Sequence, residues 1–268
     1  MEAIGQLDDD DIDLADAALH LARRAQPDAD WQEARAQLST IARAAASLGR
    51  EIDPQDLPAC AAMLAWLLHD EMSLQGDRLT YDDTANANLI MVLERRRGLP
   101  VALGILWIHA ARAAGWDAYG VNFPGHFLVG LAFGQRQVLL DAFEGGTIVS
   151  AEGLRALLMQ THGRRVALKR ELLAGMTPRA VLLRLQGNIA SRLEQGGQTA
   201  RALATLRDML RIAPAEATIW LDAARLHQQS HELTAALDCY DRFLALAPDS
   251  QAAPRVREAM AALRGQMN

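Results

Sequence analysis

The sequence predicts an α+β protein: a helical start, one buried helix packed on a small antiparallel sheet, and an all-helical C-terminal region. Three observations carry this. Val101 to Ala114 is apolar nearly all round, opens after Pro100 and closes on Gly115, which is the proline-first, glycine-after signature of a buried helix. The chain then breaks into short runs suited to strands, Asp117 to Phe123, His126 to Phe133 and Val138 to Phe143, punctuated by Pro124-Gly125, Gly134 and Gly145-Gly146. Beyond them Pro214 and Pro248 each close a helix-turn-helix pattern, and they lie 34 residues apart.

Taken in order, Leu7 to about Trp66 carries apolar residues at helical spacing and reads as three helices. The aspartates from Asp8 to Asp13 are placed to cap the first of them and to meet the positive end of its dipole. Leu74 to Asn88 is polar and turn-rich, a long ordered loop, and Leu89 to Arg96 is a short helix. After the central helix and the three strands, Ala151 to Met159 returns to helix, and Arg164 to Leu172 reads as either strand or helix. Gly115 is expected to need a positive φ, so that Gly115→Val would unfold the domain.

A 34-residue period is that of the tetratricopeptide repeat. Two repeats fit, Leu183 to about Glu216 and Ala217 to Ser250, with Ala253 to Arg264 as a capping helix. Ala190 and Ala202 fall at the small-residue positions of the first repeat, and Trp220, Ala224, Ala236 and Tyr240 at the signature positions of the second. The expected division is 1–175 for the helical and sheet part and 176–268 for the repeats.

Composition narrows the function classes. The 268 residues carry 27 Lys and Arg against 33 Asp and Glu, a net charge of −6, which argues against a general nucleic-acid binder. Half of the residues are hydrophobic and 22% are charged, a balance that builds a globular core. The acidic start lacks the basic and apolar pattern of a signal peptide, so secretion is not expected. The longest uncharged run, Ala118 to Gln135, contains Pro124 and four glycines, so no membrane segment is predicted. Two cysteines, Cys60 and Cys239, suggest neither a disulfide framework nor a zinc site, and they fit a reducing cytoplasm. His126, Asp141, His69 and Asp83 are metal-ligand types without metal-site spacing, so neither metal nor cofactor is expected.

A buried helix followed by a hairpin offering His126 and then Asp141 resembles a thiol hydrolase, in which a nucleophile at the helix N-terminus gives its proton to a histidine oriented by a carboxylate. The hairpin register decides whether the two meet. A loop centred on Phe133-Gly134 places them opposite each other, and one centred on Gln135-Arg136 separates them by four residues.

The segments Tyr81-Asp82-Asp83-Thr84-Ala85-Asn86, Val92 to Arg96 with Gly98-Leu99-Pro100, Gly120 to Phe127, and Leu140 to Phe143 with Gly145-Gly146 resemble the SirB-type family, which joins a transglutaminase-like domain to tetratricopeptide repeats. The resemblance implies a papain-like core whose active members carry Cys on the central helix, His on one strand and Asp on the next. Counted back from Gly115, that cysteine position falls at Pro100 or within a residue of it, and Arg95 to Ala114 contains no Cys, Ser or Thr. Proline has no group with which to attack, so the ordinary acyl-enzyme route is closed. His126 and Asp141 stand as a remnant pair, with Asn122 and Gly125 shaping the turn that presents the histidine, and Tyr81 and Asn86 locking the adjacent loop.

Two functions follow. The first is a catalytically impaired transglutaminase-like protein that binds a protein or peptide partner, as an adaptor or regulatory module, through a cleft near His126 and the concave face of the repeats. The positions that hold Lys and Asn in carboxylate-clamp arrays are here Gly187, Ser191, Leu221 and Arg225, which disfavours recognition of a free C-terminus. The alternative is a hydrolase or acyltransferase that uses the His126-Asp141 pair with water or a non-standard nucleophile. Regulation by direct DNA contact finds no basic recognition helix.

Overall fold

The computed structural model describes residues 2–267 and divides them into two compact units. One is Asp8–Leu185; the other joins the start of the chain, up to Leu7, to everything from Gln186 onward.

In the first unit, aspartates cap the helices. Asp13, Asp30 and Asp56 precede α2 (Leu14–Ala25), α3 (Trp31–Gly49) and α4 (Leu57–Ala65), and each carboxylate accepts a backbone N–H three residues on, at 3.0–3.1 Å. Of the expected acidic cap, only Asp13 serves α2. Asp9–Asp11 coil into a 3-10 turn of their own, and Asp9 instead pairs with Arg179. The end of α4 continues as a π-helical turn, Trp66–Glu71. After the loop, α5 (Leu89–Arg95) is capped by Asn88, whose side chain accepts from Ile90 and Met91, and it stops at Arg96 in the left-handed region. A two-residue parallel pair, β1 (Gln75–Gly76) with β2 (Arg97–Gly98), closes that loop against the start of α6 (Pro100–Ala113).

The central helix α6 is buried along nearly its whole length, as its all-round apolarity requires. It ends at Gly115, whose φ is +82° with no neighbour within 4 Å of a would-be Cβ. The positive φ expected of Gly115 is present, so a side chain there meets no tertiary neighbour but strains the backbone, a β-branched valine most of all.

The main sheet is antiparallel, in the order β6-β5-β4-β3-β7, with β3 (Asp117–Phe123), β4 (His126–Phe133), β5 (Arg136–Asp141), β6 (Thr147–Ile148) and β7 (Gly175–Met176). On one face Phe127 and Val129 press on Gly104 of α6, where a Cβ would lie 2.4 Å from the Phe127 ring. On the other face Val121, Phe123, Leu128 and Leu139 pack with Leu154 and Leu158 of α7 (Ala151–His162). Strand β5 begins and ends two residues earlier than expected, because the chain after Asp141 turns back on itself. Residues 164–172, expected as strand or helix, are irregular apart from a 3-10 turn at Arg170–Leu173.

The second unit is all helical. It is built from α8 (Pro178–Gln195), within which the division falls, and from α9 (Thr199–Ile212), α10 (Ala217–Gln229), α11 (Leu233–Leu246) and α12 (Ala253–Met267), with α1 (Glu2–Gln6) packed on α9. Ala190, Ala202, Ala224 and Ala236 are buried where the helices of each pair cross. The Trp220 indole donates to the carbonyl of Pro214 at 2.9 Å, and the Tyr240 hydroxyl donates to Gln228 at 2.7 Å.

Candidate functional site

The hairpin register falls between the two that the sequence allows. Phe133 faces Arg136 and Val129 faces Leu140, so the loop centres on Gly134-Gln135. One step further, Asp141 lies across from Leu128, two residues from His126. The pair is therefore diagonal on one face, within reach of long side chains but not directly opposed. That face follows from the adjoining hairpin: His126 is the register partner of Phe123, and Phe123 belongs to the cluster under α7. The Cβ atoms of His126 and Asp141 thus project away from α6, while Asn122, the partner of Phe127, projects toward it and is exposed.

His126 and Asp141 do not hydrogen-bond each other. Among the described residues the half-buried His126 ring makes no hydrogen bond. The Asp141 carboxylate instead accepts the backbone N–H of Phe143 at 3.0 Å and of Glu144 at 3.3 Å, and the Asp141 carbonyl accepts that of Gly146 at 2.8 Å. Asp141 is the keystone of the turn that leads into β6. Its pKa is raised, chiefly by burial, although the two amides and the nearby His126 act to lower it.

The turn presenting His126 is held differently from the sequence expectation. Gly125 sits at φ +76°, and a Cβ there would lie 2.6 Å from the Thr161 hydroxyl. That hydroxyl, from the last turn of α7, is 3.1 Å from the carbonyl of Pro124 and 3.0 Å from that of Leu157. Asn122 makes no side-chain hydrogen bond among the described residues, so Thr161 ties the turn and Asn122 does not. No local pattern in the sequence links Thr161 to Pro124, 37 positions away.

At the start of α6, Pro100 occupies the first helical position, and Leu99 before it offers no side-chain cap. Proline at this position offers neither a nucleophilic side chain nor a backbone N–H for an anion at the helix N-terminus. Asn86, fully buried, pins this junction. Its carbonyl accepts the Leu99 N–H at 2.8 Å, and its side-chain amide donates to the carbonyl of Thr80 at 2.6 Å. The Tyr81 ring stands edge-on to Phe143, 5.9 Å between centroids, while Phe143 also carries the Arg78 guanidinium over its face.

The group that organises this loop is Asp77, which is 2% exposed. Its carboxylate accepts the N–H of Leu79 and of Thr80 at 3.0 and 2.9 Å, the Thr80 hydroxyl at 2.6 Å, and Arg95 Nη2 at 3.1 Å. Burial alone would raise its pKa. The hydrogen bonds from Thr80, Leu79 and Asn86 outweigh that and hold the pKa down to about 2. Arg95 also reaches Asp83 at 3.3 Å. A charged residue in a polar loop reads as exposed, so nothing in the sequence signals this network.

The other candidate groups lie elsewhere. Cys60 is buried, its Sγ donates to the carbonyl of Asp53 at 3.7 Å, and burial pushes its thiol up, as it does for Cys239. His69 Nδ1 is 3.3 Å from the Leu74 carbonyl, and its ring lies against Gly145. Among the described residues no group of three or more His, Cys, Asp or Glu could hold a metal ion, and no helix is long and apolar enough to cross a membrane. In the helical unit Arg225, at a clamp position, is engaged by Glu194 through two hydrogen bonds of 2.5 and 3.0 Å that join α10 to α8.

Comparison with known proteins agrees with this architecture. Residues 32–187 match the transglutaminase-like superfamily. The chain belongs to that superfamily. Its transglutaminase-like region runs from α3 into α8 and is followed at 189–261 by a tetratricopeptide repeat match. The UPF0162 protein of Xylella fastidiosa (strain 9a5c) is 29% identical over 95% of this chain and 91% of its own length, and that of Vibrio cholerae is 28% identical over 96% and 94%. F-box only protein 21 of Pongo abelii is similar over a shorter stretch: 35% identity across 79 residues, 30% of this chain and 13% of that protein. The transglutaminase-like fold and the following repeats are therefore those of the SirB-type family that the motifs resemble.

Proposed function

We propose that this protein is a non-catalytic member of its superfamily that works by binding a protein or peptide partner, with the repeats as the principal contact surface. The observation that carries the reading is the start of α6. Pro100 supplies neither nucleophile nor N–H, and the remnant His126 and Asp141 project from the other face of the sheet without hydrogen-bonding each other. Tetratricopeptide repeats bind extended segments along their concave face, which supports assigning the partner to them. Because Arg225 is held by Glu194, that partner is not expected to be recognised through a free carboxylate.

Pro100→Cys tests the catalytic half. A thiol placed at a helix N-terminus and paired with a histidine has a strongly lowered pKa, whereas a free thiol titrates near about 8.5. The rate of iodoacetamide alkylation against pH should follow a thiol that is unaffected by adding His126→Ala. A low-pKa thiolate that disappears with His126→Ala, or ester hydrolysis by the wild type that depends on His126, would establish the hydrolase instead. For the binding half, partners retained by the full chain should be lost on Ser191→Glu with Leu221→Glu and kept on His126→Ala. The opposite pattern refutes the repeat surface.

A further inference from the structure

We propose that the groove between α3 and α5 is a docking site for an extended basic peptide, with arginine or lysine side chains alternating with apolar ones. The groove encloses about 780 Å³ and meets a second hollow of about 340 Å³ at Glu33, Gln37 and Leu93. Together they run along α3 from Glu33 to Ile41, about 12 Å at the helical rise, which is the span of about four extended residues. The floor is apolar, made by Ala34, Ile41, Ile90 and Leu93.

The rim is acidic and unneutralised. Asp28, Asp30, Glu33 and Glu94 border the larger hollow, and Glu71 borders the smaller. Among the described residues none of these five carboxylates forms an ion pair. Asp30 caps α3 and Glu33 accepts the Gln37 amide, which leaves each with oxygen lone pairs free for a ligand. The basic side chain of the lining, Arg96, donates to the carbonyl of Met72 at 2.9 Å. Like charges around a concavity with an apolar floor repel one another and focus a negative potential, which a cationic occupant relieves. An extended strand places alternate side chains on opposite sides, so apolar residues can fill the two hollows while basic ones meet the rim. This site goes beyond the repeat-based reading and shares no residue with it or with the His126 region, so either can fail alone.

The test uses the full chain and a fluorescein-labelled peptide of alternating arginine and leucine, read by fluorescence anisotropy, with the alternating glutamate and leucine peptide as counterpart. Saturable binding of the arginine peptide is expected at about 25 mM NaCl, weakening at about 300 mM as screening grows, with no binding of the glutamate peptide. Glu33→Gln with Glu94→Gln, two exposed near-isosteric changes, should weaken binding about tenfold, a loss in keeping with two exposed charge contacts. Met91→Arg, which places the protein's own cation in the groove, should weaken it as well, and the control pair Asp10→Asn with Asp11→Asn should not. Circular dichroism and melting of each variant confirm that it is folded. No saturable binding, equal binding of the glutamate peptide, or an equal loss in the control pair would overturn the proposal.

Discussion

Replacing Asp77 by Asn removes one charge while keeping the size and one acceptor oxygen of the residue that organises the 77–95 loop. The magnitude follows from its titration. A carboxyl carried from 3.8 down to about 2 is stabilised in its ionised form by nearly two pKa units, or about 2 kcal/mol at roughly 1.36 kcal/mol per unit. A lowered pKa contributes stability above the unfolded-state value, and that contribution drains away as pH falls toward the folded-state value. Asp77→Asn should therefore cost about 2 kcal/mol at pH 7, most of it remaining down to about pH 4, and the two proteins should converge near about pH 2. The assay is urea unfolding across that range, followed by tryptophan fluorescence. Trp31, Trp66, Trp107 and Trp116 all lie in the unit that contains the loop, so the signal reports on it. In a melt at neutral pH the expected shift is roughly 4–8 °C for a unit of this size. A loss that does not depend on pH, or one that grows as pH falls, would show that the ionised carboxylate is not what holds the loop.

The remaining predictions concern the turns around His126. Asp141 has the opposite sign from Asp77: its raised pKa means that stability is greatest below the unfolded-state value and declines as pH rises through the folded one. Asp141→Asn, which still accepts the Phe143 and Glu144 amides, should melt no lower than wild type at pH 7, with the gap closing toward about pH 3. Gly125→Ala combines a left-handed backbone with displacement of the Thr161 hydroxyl and should cost about 2 kcal/mol. Thr161→Ala in the same chain should recover part of this, measurable as a coupling energy in a double-mutant cycle. Gly115→Ala, with the same backbone strain and open space, should cost only about 1–2 kcal/mol and leave the unit folded by circular dichroism.

What could be read from the sequence is what local chemistry dictates. Pro100 and Gly115 bracket α6, Pro124-Gly125 and Gly134 make the hairpin turns, and the 34-residue spacing of Pro214 and Pro248 marks the repeats. The hairpin register lay beyond that reach. Centring the loop on Phe133-Gly134, Gly134-Gln135 or Gln135-Arg136 uses equally good turn residues, and only packing of Phe127 on Gly104 and of Leu139 under α7 selects among them. The same limit hid Asp77. Its partner Arg95 is 18 residues away, and a buried carboxylate in a polar loop looks like a solvated one until its donors are in place. The role of Asp141 was half visible: a carboxylate at a strand end was legible, but whether it faced a histidine or the two amides that follow it is decided by the turn at 142–146.

Where a fold concentrates its polar interactions indicates what it has to hold still. A histidine used for proton transfer has its second ring nitrogen fixed by a carboxylate or carbonyl, because an unfixed ring presents either tautomer in any orientation. His126 has no such hydrogen bond among the described residues. The dense network lies instead around Asp77, Thr80, Asn86 and Arg95, where a loop without regular structure is fixed by contacts at 2.6–3.1 Å. That loop displays Leu79 at 84% exposure and Tyr81 at 43%, apolar groups that a solvated loop has no reason to hold rigidly. Ordering them in advance would lower the entropy lost if a partner covered them, the form of preorganisation that serves association. The fold thus devotes more hydrogen bonds to fixing the loop that displays Leu79 and Tyr81 than to the His126 ring, whose flanking turns are held through Thr161 and Asp141 instead.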